Sequence, residues 1–299
     1  MQALWMLLGS FFFATMALCV KIASEWFNSA ELVCYRGLLS MLLLWGLARH
    51  QRVSLATRYP GMHAWRSVVG VISLGAWFYA IAGLPLATAM TLNYMSSVWI
   101  TAFLLGGALL LWTPARAADT LWRQGRLTRA VLVGFVGVVL TLQPTMTQDQ
   151  SVAGLAGLLS GILAALAYLQ VITLGKLGEP ETRVVFYFAL ASALAGALGM
   201  AVVGASPWAG LQTLWLLPVG LLATLGQLCM TRAFSQGATL VVACLQYSGI
   251  VIGALYGLLL FGDDIPWVGW VGMGLILASG MSAAALRTRA ISPPTTSEH

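Results

Sequence analysis

Met90, Asn93, Tyr94, Ser97 and Thr101 recur at helical spacing, so one helix face would present an amide, a phenol and two hydroxyls within an otherwise apolar run. Gln246 and Tyr247 repeat the adjacent amide and phenol late in the chain. Such groups are costly in lipid and are placed where they meet protein or a wet cavity, which makes them candidates for holding a small molecule. Trp77, Tyr79, Tyr168 and Gln227 join them as candidate substrate contacts, with aromatic faces for rings or cations and an amide for a polar head. The competing reading is that Asn93 and Gln246 only bond neighbouring helices, at under about 1 kcal/mol each, and that Trp and Tyr sit in interfacial belts. Lys21, Glu31 and Arg36 form a second group, read as an outer gate or charge pair. Arg36 offers a planar fork for a carboxylate; an internal salt bridge, or a stem snorkelling to the interface, is the alternative.

No HExxH, no nucleophile elbow and no paired acids at membrane depth occur, so no catalytic residues and no enzyme are expected. Cys19, Cys34, Cys229 and Cys244 lie singly in apolar runs, which predicts neither disulfides nor a metal site, and no cofactor.

The elements that position these residues follow from composition. Of 299 residues, 60% are hydrophobic and 8% charged, with mean hydropathy +0.88, which excludes a soluble fold. The net charge of +6 is scattered through short connections and not gathered into a patch, so no nucleic-acid partner is expected. The expected partners are a small-molecule substrate and membrane lipid, with the chain a monomer or homodimer. The apolar run after Met1 lacks a charged leader and a cleavage signal, and reads as a retained first span.

Apolar runs long enough for helical crossing fall near 3–22, 30–48, 64–83, 86–111, 128–143, 152–174, 183–204, 210–231, 238–261 and 266–286. Alternate connections hold Arg49 through Arg66, Arg116 through Arg129, Lys176 and Arg183, Arg232, and Arg287 and Arg289; the others hold no Lys or Arg. That bias predicts a multi-pass protein of the inner (plasma) membrane with both termini cytoplasmic.

At one offset Ala80-Ile81-Ala82 aligns with Ala233-Phe234-Ser235, and Asn93-Tyr94 with Gln246-Tyr247; Val133 to Gly137 resembles Val268 to Gly272. The expectation is an all-α integral membrane protein of ten transmembrane helices, as two inverted five-helix repeats over 1–143 and 152–286, with a cytoplasmic tail over 287–299. Inverted halves supply alternating access to a midplane site, which favours a carrier. Glycines at four-residue spacing, Gly249, Gly253 and Gly257, and the similar Gly154, Gly157 and Gly161, are read as packing stripes, and Pro218 as a kink.

The run from Gly9-Ser10 to Val20-Lys21, the segment Glu31-Leu32-Val33-Cys34-Tyr35-Arg36, and Leu259-Leu260-Phe261-Gly262-Asp263 together resemble the EamA-like branch of the drug/metabolite transporter superfamily. The resemblance spans nearly the whole chain. It implies a ten-helix fold with a central cavity lined by helices one, three, four, six, eight and nine, and it implies no substrate. Where that family often ends span four in Leu-Gly-Glu, this chain has Leu111-Trp112-Thr113-Pro114.

The expected function is secondary transport of a small polar or aromatic metabolite, amino-acid-like and exported, around a midplane cavity. The alternatives are uptake of a nucleoside, adenosyl compound or quaternary amine, or a non-transport receptor or structural role. Because Glu31 is the one acid read near a span interior, transport is expected to proceed by facilitated diffusion or exchange, or at most by proton coupling through Glu31. Flux in vesicles should survive a proton uncoupler; complete loss, with Glu31→Gln inactive, would overturn facilitated diffusion or exchange.

Overall fold

The computed structural model describes residues 2–100, 102–103, 148–207, 210–236 and 245–288, with isolated positions at 129, 133, 136, 137, 140 and 242. The elements in chain order are α1 (Gln2–Ala23), α2 (Ser29–His50), α3 (Pro60–Gly83), α4 (Leu86–Tyr94), α5 (Gln148–Lys176), α6 (Glu181–Val203), a 3-10 turn (Gly210–Trp215), α7 (Leu216–Gln236), α8 (Ser248–Tyr256), a π turn (Gly257–Phe261) and α9 (Trp267–Thr288).

Local chemistry sets the starts and stops. Asn28 caps α2 in a reciprocal box: its side chain accepts from the Glu31 N–H while the Glu31 carboxylate accepts from the Asn28 N–H. Pro60 opens α3, where a missing N–H costs nothing. Gly204, at φ 90°, ends α6 in a conformation that side chains resist. Pro218 falls in the first turn of α7, directly after the 3-10 turn, so it starts that helix and does not kink a longer one.

Six helices among the described residues are long and apolar enough to cross a membrane: α1, α2, α3, α5, α6, and α7 with the 3-10 turn ahead of it. Their outer faces carry exposed Phe11, Leu42, Trp45, Ile72, Leu198 and Leu221, a surface suited to lipid. The expected ten transmembrane helices in two inverted five-helix repeats are thereby corrected: nine α-helices form among the described residues, six qualify as spans, and no ten-helix inverted repeat is shown. Run length alone misled, because hydropathy does not register breaks. Among the described residues the 86–111 run turns at Met95 before helix resumes over 96–100, and the 238–261 run turns at Tyr247, so α4 has nine residues and the apolar helix Ser248–Phe261, α8 with its π turn, stays below span length. At 1.5 Å per residue, these are about 14 and 21 Å of helix against a core of about 30 Å. The expected span at 128–143, and most of the tail from 287, lie outside the described residues.

Each of the first three helices packs chiefly on one later helix: α1 on α7, α2 on α6, α3 on α5. Apolar attraction is weak between helices already in lipid, so close backbone approach must supply the contact. Between α2 and α6 it is reciprocal. A Cβ on Gly37 would collide with the backbone of Ala189 and Ala193, and one on Gly196 with the backbone of Cys34. Helix α4, all nine residues buried, lies between two further glycine surfaces. On one side Gly157 meets Leu92, and Gly161 meets the Leu92 and Asn93 carbonyls; on the other, Gly249 meets the Tyr94 ring and Gly253 the Met90 sulfur.

Gly37→Leu is expected to cost about 1–3 kcal/mol or more by overpacking, seen as a lower melting temperature and yield of the detergent-purified protein. Gly46→Leu, on the same helix with open space where its Cβ would go, should leave both unchanged.

Candidate functional site

A cavity of about 50 Å³ lies in the middle of the bundle. Phe13 of α1, Arg36 of α2, five residues of α3 from Arg66 to Trp77, Asn93 and Tyr94 of α4, Ala164, Ala167 and Tyr168 of α5, Phe188 of α6 and Gln227 of α7 line it. The volume suits a few waters or one small polar group and falls well below the roughly 300–1,000 Å³ of a pocket enclosing a drug-sized molecule. Admitting a metabolite therefore requires the surrounding helices to separate.

Of the residues singled out in sequence, the structure brings Trp77, Asn93, Tyr94, Tyr168 and Gln227 together on the cavity wall. The Trp77 and Tyr94 rings lie 6.5 Å apart, and Tyr168 stacks on Phe234 at 5.2 Å. Gln246 reaches Tyr168, its amide nitrogen 3.4 Å from the phenol oxygen, and so stands behind the wall with the buried Tyr247. Asn93 donates to Ser160 Oγ at 3.0 Å, and the Ser73 hydroxyl donates to the Ser160 carbonyl at 2.7 Å, fixing α3, α4 and α5 to one another at the cavity edge. Ser97 is buried beyond the kink of α4. Tyr79 is exposed on the outside of α3, away from these residues.

Lys21, Glu31 and Arg36 are not gathered at one point. Lys21 donates to the Leu84 carbonyl at 2.6 Å and lies over the Phe261 ring. Glu31 accepts from the Ser206 N–H at 2.8 Å and its hydroxyl at 2.6 Å, besides its capping bond. Arg36 turns inward to the cavity, its guanidinium carbon 5.3 Å from the centre of the Phe188 ring.

Arg66 occupies the same ring at 4.0 Å, 2% exposed, with its guanidinium folded against Gly70. In the sequence it read as one more cytoplasmic charge near a span end. The signal available was its spacing: Arg66, Gly70, Ser73 and Trp77 follow one another at helical intervals on the face of α3 that meets the cavity. The wall is rich in hydrogen-bond donors. Arg36 Nε, Arg66 Nε and Nη1 and Trp77 Nε1, which only donate, have no hydrogen-bond partner among the described residues; nor do the Tyr94 hydroxyl, which donates or accepts, and the acceptor Gln227 Oε1.

The two ends of the bundle are closed by different polar devices. At one end the 51–59 connection is tied to α3 and α6. Buried Glu179 accepts from Thr57 at 2.9 Å and Arg183 at 3.0 Å and meets His63 Nε2 at 3.2 Å. Arg183 also donates twice to the Ser54 carbonyl, and the Tyr187 hydroxyl donates to that of Leu55. In the sequence analysis neither His63 nor Glu179 has a role; the structure buries both. At the opposite end Asp263 Oδ2 accepts from the Leu86 N–H at 2.9 Å, supplying α4 with the N-terminal acceptor that Pro85 lacks. Among the described residues no three His, Cys, Asp or Glu side chains gather as a metal site.

Long apolar helices around a small cavity with aromatic walls and a few polar groups suit a membrane carrier, and the comparisons give that class. The chain is 33% identical to the pseudopaline exporter CntI of Pseudomonas aeruginosa strain UCBPP-PA14 over 267 residues, covering 87% of each protein. It is 30% identical to an uncharacterized transporter of Helicobacter pylori strain 26695 over 93% of this chain and 92% of that one, and 28% identical to the riboflavin transporter of Rhizobium johnstonii over 93% and 89%. A crystal structure 18% identical in sequence shares the fold, with a TM-score of 0.68 over 97% of this chain and 99% of that one. No protein-family model matches the chain. The chain belongs to the family of multi-pass membrane transporters that includes the Pseudomonas and Helicobacter proteins. It is a secondary transporter of a small molecule and not an enzyme.

Burial alone would raise the pKa of Glu179, but bonds from Arg183, Thr57 and His63 outweigh it and hold the carboxyl below its ordinary 4.5. A carboxylate held low in the fold adds stability above its unfolded pKa and loses it as pH falls through the folded one. Melting temperature should therefore drop as pH is lowered below about 4.5, and Glu179→Gln should lower the neutral plateau and flatten that acid limb.

Proposed function

We propose that the protein exports a small polar or aromatic metabolite, of about amino-acid size, from the cytoplasm, and that the central cavity is its binding site. The observation that carries this reading is the joint burial of Trp77, Tyr94, Tyr168 and Gln227 around one cavity among six apolar spans. Buried polar groups with unmet hydrogen-bonding capacity, inside an aromatic frame, orient a small ligand while excluding water.

The resemblance to the EamA-like branch of the drug/metabolite transporters supports the same class, as does similarity to proteins described as exporting pseudopaline and transporting riboflavin. The Lys/Arg bias supports an inner-membrane orientation in which the end closed by Glu179 faces the cytoplasm and the end closed by Asp263 faces outward. Alternating access then means that one end parts while the other stays tied. Export is favoured because the relative with the highest identity given above is described as an exporter.

Purified protein in liposomes preloaded with unlabelled amino acids, nucleosides or flavins should show saturable counterflow of at least one labelled counterpart. Tyr94→Ala and Gln227→Ala should reduce it at least about tenfold, as expected for lost groups worth about 1.4 kcal/mol or more each. Wild-type rates from both variants would place the binding site elsewhere, and electrical current without counterflow would mark a channel.

A further inference from the structure

Two buried cations share one wall of the cavity with no counter-ion among the described residues. Arg36 and Arg66 are each 2% exposed, rise from different helices and lie over the same Phe188 ring, at 5.3 and 4.0 Å. No ion pair to either guanidinium forms among the described residues, where the ion pairs are those of Glu179 with His63 and Arg183. The other described carboxylates are engaged elsewhere or stand in the open. Glu31 is held by Asn28 and Ser206, Glu181 by Gln236, and Asp263 by the Leu86 N–H, while Glu25 and Asp264 are exposed.

An unneutralised charge in a low-dielectric interior is strongly unfavourable, and two like charges on one aromatic ring add mutual repulsion. Phe188 offsets only part of this through its π face. It leaves the guanidinium edges unbonded: Arg36 Nε and Arg66 Nε and Nη1 meet no acceptor among the described residues. Trp77 Nε1 and the Tyr94 hydroxyl add two more open donors on the same wall. An ammonium group would find two open acceptors there, Gln227 Oε1 and the Tyr94 hydroxyl, but also two cations beside them.

We propose that the cavity selects anionic substrates, binding a carboxylate between the Arg36 and Arg66 guanidinium groups with Trp77 and Tyr94 as neutral donors. This rests on the reading of the cavity as the transport site and narrows the cargo to organic acids, in preference to neutral or cationic compounds. A planar fork accepts both oxygens of a carboxylate at once, which an ammonium point charge does not match. Gly70 belongs to the site because a side chain there would drive into Arg66. The same geometry predicts an unusual stability effect: removing one of two repelling cations should not destabilise the ligand-free protein, whereas removing half of a structural ion pair would.

The test is thermal stability of the detergent-purified full chain, titrated with acetate, succinate and glutamate against acetamide, succinamide and butylamine at matched ionic strength. Carboxylates should raise the melting temperature saturably and the neutral and cationic probes should not, since a ligand of the folded state stabilises it by mass action. Arg36→Gln and Arg66→Gln should each abolish the carboxylate shift while melting no lower than the parent, and Arg66→Lys should retain only part of it. No carboxylate shift, equal shifts with the amides, or shifts kept in both Gln variants would overturn the proposal. Liposome counterflow separates it from the transport reading. Counterflow of neutral or cationic compounds alone would leave the carrier standing and remove the anion site; a carboxylate shift without counterflow of any acid would do the reverse.

Discussion

Backbone-to-backbone contact across glycine is the constraint on which the architecture depends. Lipid is as apolar as the helix surfaces, so burying leucine against leucine gains little, and dispersion between close surfaces must hold the bundle. Gly37 and Gly196 bring α2 and α6 into direct backbone contact, while Gly157, Gly161, Gly249 and Gly253 enclose α4 from both sides. That enclosure is what places Asn93 and Tyr94 at the cavity: neighbours on both faces fix how α4 is turned about its axis. Gly161 does a second job where α4 turns at Met95, since its bare backbone leaves room for the carbonyls of Leu92 and Asn93.

Around this rigid frame the polar groups fall into three layers. A carboxylate-centred knot at Glu179 ties one end, a capping arrangement through Asp263 and Lys21 ties the other, and the cavity with its arginines lies between. The two ends are chemically unlike. The first joins side chains of α3, α6 and the 51–59 connection; the second mostly satisfies exposed backbone groups at helix starts. Two closures that rely on different groups can be loosened by different events, as the proposed transport cycle requires.

The sequence made the chemistry of the cavity more legible than the architecture. Trp77, Asn93, Tyr94, Tyr168 and Gln227 were visible because a polar or aromatic group in an apolar run is conspicuous, and helical spacing predicts which of them share a face. Tyr79 had the same signature and lies outside, because residue type does not report which way a helix is rotated. Arg66 and His63 were masked by position: within a turn or so of a span's start, a buried charge and a cytoplasmic one look alike in the sequence. Glu179 was missed because two of its partners, Thr57 and His63, come from more than a hundred positions away, and Arg183 four residues on reads as an ordinary helix-start charge. The count of spans failed for a different reason. Hydropathy sums over a window and passes smoothly across Met95 and Tyr247, where a turn interrupts the helix without any change in polarity.

Those two turns, each beside an amide and tyrosine pair, bear on how force travels through the molecule. A straight helix acts as a rod, and pushing one end moves the other. A helix interrupted midway bends there instead, because the break has given up part of the hydrogen-bonded ladder that resists bending. Helix α4 before Met95 and the described stretch 96–100 after it are therefore joined at a pivot close to the central cavity. Strain arriving along one of them is taken up in part by bending at that pivot, so the backbone itself softens the mechanical link from one side of the cavity to the other.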